Sequence, residues 1–227
     1  MSDFHKLVVP RTAHFYTLGE ASKNVKTLWI VCHGMGQNAD DFIKNFEAIA
    51  DEENFVVAPE GLNKFYWGGF DGPAVATWMT RRHRLDEIAD FTHFINSIYH
   101  HYKSQFTDNV KVILLGFSQG CATQARFIME KCPNFSTLVL CGGGMPEDLD
   151  YKSKADYWKT KKIFFLCGDK DKFVTPEKIE EHEAMLAQHG IFINEKIIFD
   201  GKHELKSEPL LRLKAQLQGI SVLENDF

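Results

Sequence analysis

Apolar residues along this chain follow two rhythms that alternate. Short, nearly continuous runs recur: Thr27 to Val31, Asn54 to Pro59, Val112 to Leu115, Ser136 to Leu140, Lys162 to Cys167 and Ile193 to Phe199. Runs of that length and density predict strands buried on both faces. Between them apolar positions fall three or four apart, as in Phe42, Ile43, Phe46 and Ile49, or Leu85, Ile88, Phe91, Ile95 and Tyr99. This spacing predicts helices over 40–51, 85–99, 119–131, 176–188 and 208–218. Pro59, Pro133, Thr175-Pro176 and Gly190 punctuate the pattern where elements should start or stop. At the front, Leu7-Val8-Val9 and His14 to Thr17, split by Pro10-Arg11, predict an antiparallel edge hairpin.

Two stretches fit neither rhythm. Residues 61–80 are glycine-rich and unusually aromatic and read as irregular; residues 145–160 are polar and connecting, too short for a cap domain. Strands alternating with helices predict an α/β fold: a mostly parallel central sheet with an N-terminal antiparallel hairpin and helices on both faces. At 227 residues one domain spanning 1–227 is expected. Ligands of such sheets sit beyond the carboxyl ends of the strands, so the loops there are where chemistry is sought.

Composition narrows the partners. The net charge is −5, with no basic stripe, which argues against nucleic acid. No apolar run approaches a membrane span, and the first residues lack a signal-like segment. Five cysteines, an odd number without a Cys-x-x-Cys pair, predict free thiols in a reducing cytoplasm. No His/Cys/Asp cluster has metal-ligand spacing, so neither a metal nor another cofactor is expected.

The strand at 112–115 runs into Gly116-Phe117-Ser118-Gln119-Gly120 and then directly into a helix. Strand, tight turn and helix around one serine are what a nucleophile elbow requires, with glycines allowing the close approach. A serine hydroxyl is a weak nucleophile and needs a base. In the α/β-hydrolase arrangement the chain order is nucleophile, acid, histidine. The strand ending at Cys167 leads into Gly168-Asp169-Lys170-Asp171, and the last strand leads into Asp200-Gly201-Lys202-His203. His203 is the expected base among ten histidines, because it alone follows the last strand and precedes the last helix; His100, His101, His182 and His189 read as structural or solvated. Asp171 is preferred as the acid for its longer reach, with Asp169 and Asp200 as rivals. The turn His33-Gly34-Met35-Gly36 follows the first central strand and exposes backbone N–H groups. It nominates Met35 N–H, with Gln119 N–H after the nucleophile, as an oxyanion hole. The His33 ring is expected to hydrogen-bond the turn, and Cys121 to pack under the helix. The aromatics of 61–80 have two readings, cover for the core or a substrate-pocket wall with Phe70 and Trp78 nearest the elbow.

With these motifs in order, the chain resembles the phospholipase/carboxylesterase family of α/β-hydrolases, which includes bacterial carboxylesterases and acyl-protein thioesterases. The resemblance runs from the strand before His33 to the last helix, and Gly-Phe-Ser-Gln-Gly is the family's commonest elbow. It implies Ser118 as nucleophile, Asp171 as acid, His203 as base, and Met35 and Gln119 as oxyanion donors. The stretch from Gly61 to Tyr66 and Trp78 to Thr80 looks more like prokaryotic esterases than thioesterases. Two positions depart from the family: Thr175 stands where many members have an apolar residue, and the Gly201–His203 loop is a residue tighter than in the thioesterases. The expected activity is hydrolysis of a small carboxylic ester of short to medium acyl chain. A thioesterase-type or lysophospholipase-type deacylase is the alternative within enzymes, and a non-catalytic ligand-binding homologue the alternative outside them.

Overall fold

A computed structural model describes residues 2–219. Seven strands form one sheet: β1 (Phe15–Leu18), β2 (Thr27–Cys32), β3 (Asn54–Pro59), β6 (Lys111–Phe117), β7 (Thr137–Cys141), β8 (Lys162–Gly168) and β9 (Glu195–Phe199). Their spatial order is β1-β3-β2-β6-β7-β8-β9, and every neighbouring pair is parallel except β1 with β3. The run-like composition of β2, β3, β6, β7 and β8 has a direct cause, since these strands bury both faces, whereas the edge strands β1 and β9 leave residues such as Tyr16 and Ile198 exposed. Leu28, Ile30 and Cys32 of β2 pack into one apolar layer, while Trp29 and Val31 pack into the other. The first layer is closed by α2 (Arg84–Lys103), α3 (Gln119–Lys131) and α5 (Pro176–Ala187); the second by α1 (Ala39–Phe42) and α6 (Ser207–Leu217).

Strand order reverses between β2 and β6, the one place where consecutive crossovers leave in opposite directions. Loops diverge there and leave a crevice at the carboxyl ends. Gly34 and Ser118 follow those two strands.

Three expectations are corrected. The N-terminal strand is antiparallel but forms no hairpin: β1 pairs with β3, Phe15 opposite Pro59, and Leu7 to Val9 are exposed without strand structure. The free edge of β3 offers a row of unpaired, buried backbone groups that a three-residue run cannot match. The helix expected over 40–51 is one turn of α-helix followed by a 3₁₀ turn at Ile43–Phe46. Its apolar spacing correctly marks the inward side chains Phe42, Ile43, Phe46 and Ile49. The Asn45 side chain, however, donates to the Phe42 carbonyl at 2.8 Å and competes with the helical ladder. Finally, residues 61–80 are not irregular. They contain a separate antiparallel hairpin, β4 (Asn63–Tyr66) with β5 (Ala74–Thr77), whose alternation the aromatic residues concealed. The 145–160 connection also holds a short helix, α4 (Ala155–Trp158).

Candidate active site

The elbow at the end of β6 is built by backbone constraint. Ser118 has φ 51° and ψ −116°, a conformation that costs an L-residue energy and persists only where its surroundings enforce it. Enforcement comes from both sides. Ser118 N–H donates to the Cys141 carbonyl at 2.8 Å, and α3 starts at the next residue. A Cβ on Gly116 would lie 2.3 Å from the Gly120 carbonyl, and one on Gly120 would lie 2.1 Å from the Cys32 carbonyl oxygen. Only glycine lets helix and strands come this close.

Two loops bring the other residues. Asp171 is buried after β8; its Oδ1 accepts the N–H groups of Phe173 (2.8 Å) and Val174 (3.1 Å), and its Oδ2 faces His203 Nδ1 at 2.7 Å. That side chain is therefore held by three hydrogen bonds. The His203 ring sits between Phe117 and Phe173, with centroids 5.0 and 4.8 Å away. Asp169, the rival acid, serves the backbone instead, since its Oδ1 accepts Gly201 N–H at 3.0 Å and ties the histidine's loop to the strand end. Asp200 points outward and pairs with Lys170. Ser118 and His203 line the same cleft, though their side chains share no hydrogen bond in this structure.

The turn after β2 is fixed by its own side chains. His33 is fully buried, with Nδ1 2.7 Å from the Gly34 carbonyl and Nε2 2.9 Å from Gly61 N–H. The contacts require the neutral ring with its proton on Nδ1. Burial lowers its pKa to about 4, so it stays neutral near pH 7. Gln37 Oε1 accepts Gly34 N–H at 2.7 Å, and Gly36 N–H donates to the Ala76 carbonyl of β5 at 2.9 Å. Met35 N–H makes no hydrogen bond among the described residues, and Gln119 N–H is the first amide of α3, which has no acceptor within the helix. The Gln119 side chain accepts from Thr77 Oγ1 (2.9 Å) and Trp78 N–H (3.0 Å), and donates to the Met79 carbonyl (2.9 Å). It thereby ties the hairpin to the elbow, a role its place beside the serine did not reveal.

The cleft holds about 710 Å³ and is lined mainly by apolar groups, among them Met35, Trp67, Phe165, Phe173, Val174 and Ile179. The expected pocket residues are corrected. Trp78 is wholly buried, its Nε1–H donating to the His33 carbonyl at 2.9 Å, and so supports the turn from beneath. Phe70 is 92% exposed near the hairpin tip and stands outside the lining. Trp67 takes the wall position instead, packed over Gly36, which has φ 82° and no room for a side chain. His182, read from sequence as structural or solvated, also lines the cleft and accepts Met145 N–H at 2.8 Å. An interval of four places Lys178 and His182 on one helical face, the signal that could have found them. Cys121 is buried, and burial pushes its thiol up to about 12, unsuited to a nucleophile. Among the described residues no group of three or more His, Cys, Asp or Glu side chains could hold a metal ion.

A strained serine at a strand-to-helix turn, facing a cleft shared with a carboxylate-bound histidine, is the arrangement of serine hydrolases. The model of the FSH1 serine hydrolase family matches residues 22–205. The chain belongs to that family. No curated protein matches it. Among solved structures, a carboxylesterase from Mesorhizobium loti superimposes with a TM-score of 0.69 at 18% identity, covering 91% of this chain and 95% of that one. Zea mays acyl-protein thioesterase 2 gives a TM-score of 0.68 at 16% identity (92% and 99% covered), and esterase PE8 gives 0.66 at 19% (93% and 100% covered). Identities this low establish a shared α/β-hydrolase architecture. Esterases and a thioesterase are both among these neighbours, so the family member's fold does not separate the two.

Proposed function

We propose that this serine hydrolase cleaves carboxylic esters of short to medium acyl chain through an acyl-enzyme, with Ser118, His203 and Asp171 as its triad. The observation that carries this reading is the 2.7 Å contact of His203 Nδ1 with buried Asp171, beside a strained Ser118 in one cleft. Asp171 fixes the tautomer that leaves His203 Nε2 free to accept the Ser118 proton as Oγ attacks the carbonyl carbon. In unliganded enzymes the serine–histidine hydrogen bond is often loose and tightens around substrate. The oxyanion takes the N–H groups of Met35 and Gln119, each worth about 3–4 kcal/mol where such donors have been removed from other enzymes. Collapse returns the proton from Nε2 to the leaving alcohol. Water, deprotonated by the same nitrogen, then releases the acid and frees Ser118. A cleft of about 710 Å³ lined mainly by apolar groups suits a small ester. No helix among the described residues is long and apolar enough to cross a membrane. All five cysteines are free, which supports a reducing compartment, and we place the enzyme in the cytoplasm.

Intact-mass analysis after exposure to a fluorophosphonate, followed by a p-nitrophenyl ester series from acetate to palmitate, tests this. One adduct on Ser118 and turnover falling beyond medium chains is the expected result. Preference for long chains moves the assignment to a deacylase. Neither adduct nor turnover removes the catalytic reading.

A further inference from the structure

One wall of the cleft carries a charge that the triad does not use. Lys178, Ile179 and His182 of α5 line it together, and Lys178 is the only lining residue with a permanent charge; no lining residue but His203 touches a carboxylate. Its ammonium group donates to the Phe173 carbonyl at 2.9 Å, which holds it beside the ring that flanks His203. Among the described residues it forms no ion pair, and neither do Lys172 and Lys202, the exposed neighbours of Phe173 and His203.

The acids of the two triad loops are occupied elsewhere. Asp171 holds His203, Asp200 pairs with Lys170, Glu204 pairs with Lys206, and Asp169 accepts Gly201 N–H. Glu177 and Glu181 share α5 with Lys178 but are exposed and outside the lining. A chain of net charge −5 therefore has, in the lining of its reaction cleft, a lysine with no carboxylate paired to it. A charged group that lines an apolar cleft without a counter-charge is a recognition element for the opposite charge.

Building on the esterase reading, we propose that Lys178 binds an anionic group of the substrate, a carboxylate or phosphate a few bonds from the scissile carbonyl, so that anionic esters are the preferred class. Lys178 is a specificity residue here, placed to hold one end of the ester while apolar walls hold the rest. Lys172 and Lys202 steer the anion towards the mouth.

The test compares matched pairs. For an anion on the acyl side the pair is p-nitrophenyl hexanoate and mono-p-nitrophenyl adipate. For one on the alcohol side it is 1-hexanoylglycerol and its 3-phosphate. The readout is the anionic-to-neutral ratio of kcat/KM, in wild type, Lys178→Ala and Lys178→Arg. Wild type is expected to favour the anionic member of one pair by about three- to tenfold, as an exposed charge-assisted contact provides. The ratio should fall to about one in Lys178→Ala, survive in Lys178→Arg, and shrink with added salt. The pair that responds identifies the side carrying the charge. A ratio near one in wild type for both pairs, or a ratio unchanged in Lys178→Ala, overturns the proposal. Quenching of Trp67 fluorescence by adipate or glycerol 3-phosphate gives a readout independent of turnover. Saturable quenching weakened in Lys178→Ala supports the site even if no ester is cleaved, and absence of quenching in wild type counts against it.

Discussion

The elbow and the β4–β5 hairpin lie on either side of one cleft and are built in opposite ways. Around Ser118 the backbone itself is the structural element. Glycines at 116 and 120 admit carbonyl contacts that no side chain could share, and His33, buried and neutral, satisfies both ring nitrogens. The hairpin is fastened by separate hydrogen bonds: from Gln119 to residues 77–79, between Gly36, Gln37 and Ala76, from Asn38 to the Ala74 carbonyl, and from Asn63 to Glu87. Towards its tip Tyr66, Trp67 and Phe70 are exposed, and Gly68 and Gly69 adopt positive φ with nothing packed against them. One region is specified by what cannot fit, the other by a few side-chain ties. Substitutions should therefore have steep effects at the elbow and graded ones along the hairpin.

Ser118→Ala should have the largest effect, lowering ester turnover on the order of 10⁶-fold with the thermal midpoint preserved. Comparable turnover in the two proteins would refute the nucleophile assignment. Gly120→Ala should unfold or destabilise the protein by at least about 3 kcal/mol in urea titrations, because its Cβ meets the Cys32 carbonyl. A stable, active variant would mean the elbow is less tightly closed than the contacts indicate.

The His33 turn gives the comparison a pH axis. Its pKa is lowered from 6.5 in an unfolded chain to about 4 in the folded protein. As pH falls through that window the unfolded chain takes up a proton that the folded protein refuses. The stabilisation from neutral His33 is thus complete above pH 6.5 and lost towards pH 4, amounting to about 3 kcal/mol. Unfolding free energies measured between pH 8 and 4 should show this slope, and His33→Gln should flatten it. An unchanged slope in the variant would transfer the effect to other groups.

Gln119→Ala keeps the proposed oxyanion amide but releases the hairpin base. Buried Trp78 N–H loses its acceptor, and a cost of about 1–3 kcal/mol is expected, with kcat reduced less than by Ser118→Ala. Amide hydrogen exchange should rise in residues 74–79 specifically; a uniform rise would instead indicate general destabilisation. Phe70→Ser, at the free tip, should change stability by less than about 0.5 kcal/mol and leave turnover of a small ester within about twofold. A large loss would make the tip part of the substrate site.

Much of this plan was legible in the residues. Strands buried on both faces leave dense apolar runs, so β2, β3, β6, β7 and β8 were readable to within two residues. The elbow announces itself because a strained turn tolerates few residue types, and the loops bearing Asp171 and His203 because strand ends punctuate the chain. Residues 61–80 and the one-turn α1 were not readable. Their hydrogen bonds run to partners such as Gln119 and Gly36, or within a single turn, and leave no periodic trace. Trp78 and Phe70 exchanged expected roles with Trp67 for the same reason: aromatic content marks a region without saying which ring faces a cleft. Distance from the strand end favoured Asp171 over Asp169, and in the structure Asp171 holds the imidazole while Asp169 ties a backbone.

Local sterics and burial periodicity are written residue by residue, so the order of residues was enough for the alternation of strand and helix, the strained serine turn and the strand-end loops that carry Asp171 and His203. Folding in three dimensions was needed to choose which edge β1 joins, and which aromatic and which lysine line the cleft. Those outcomes depend on distances between segments far apart in the chain, and such distances exist only once the sheet has brought its strand ends together.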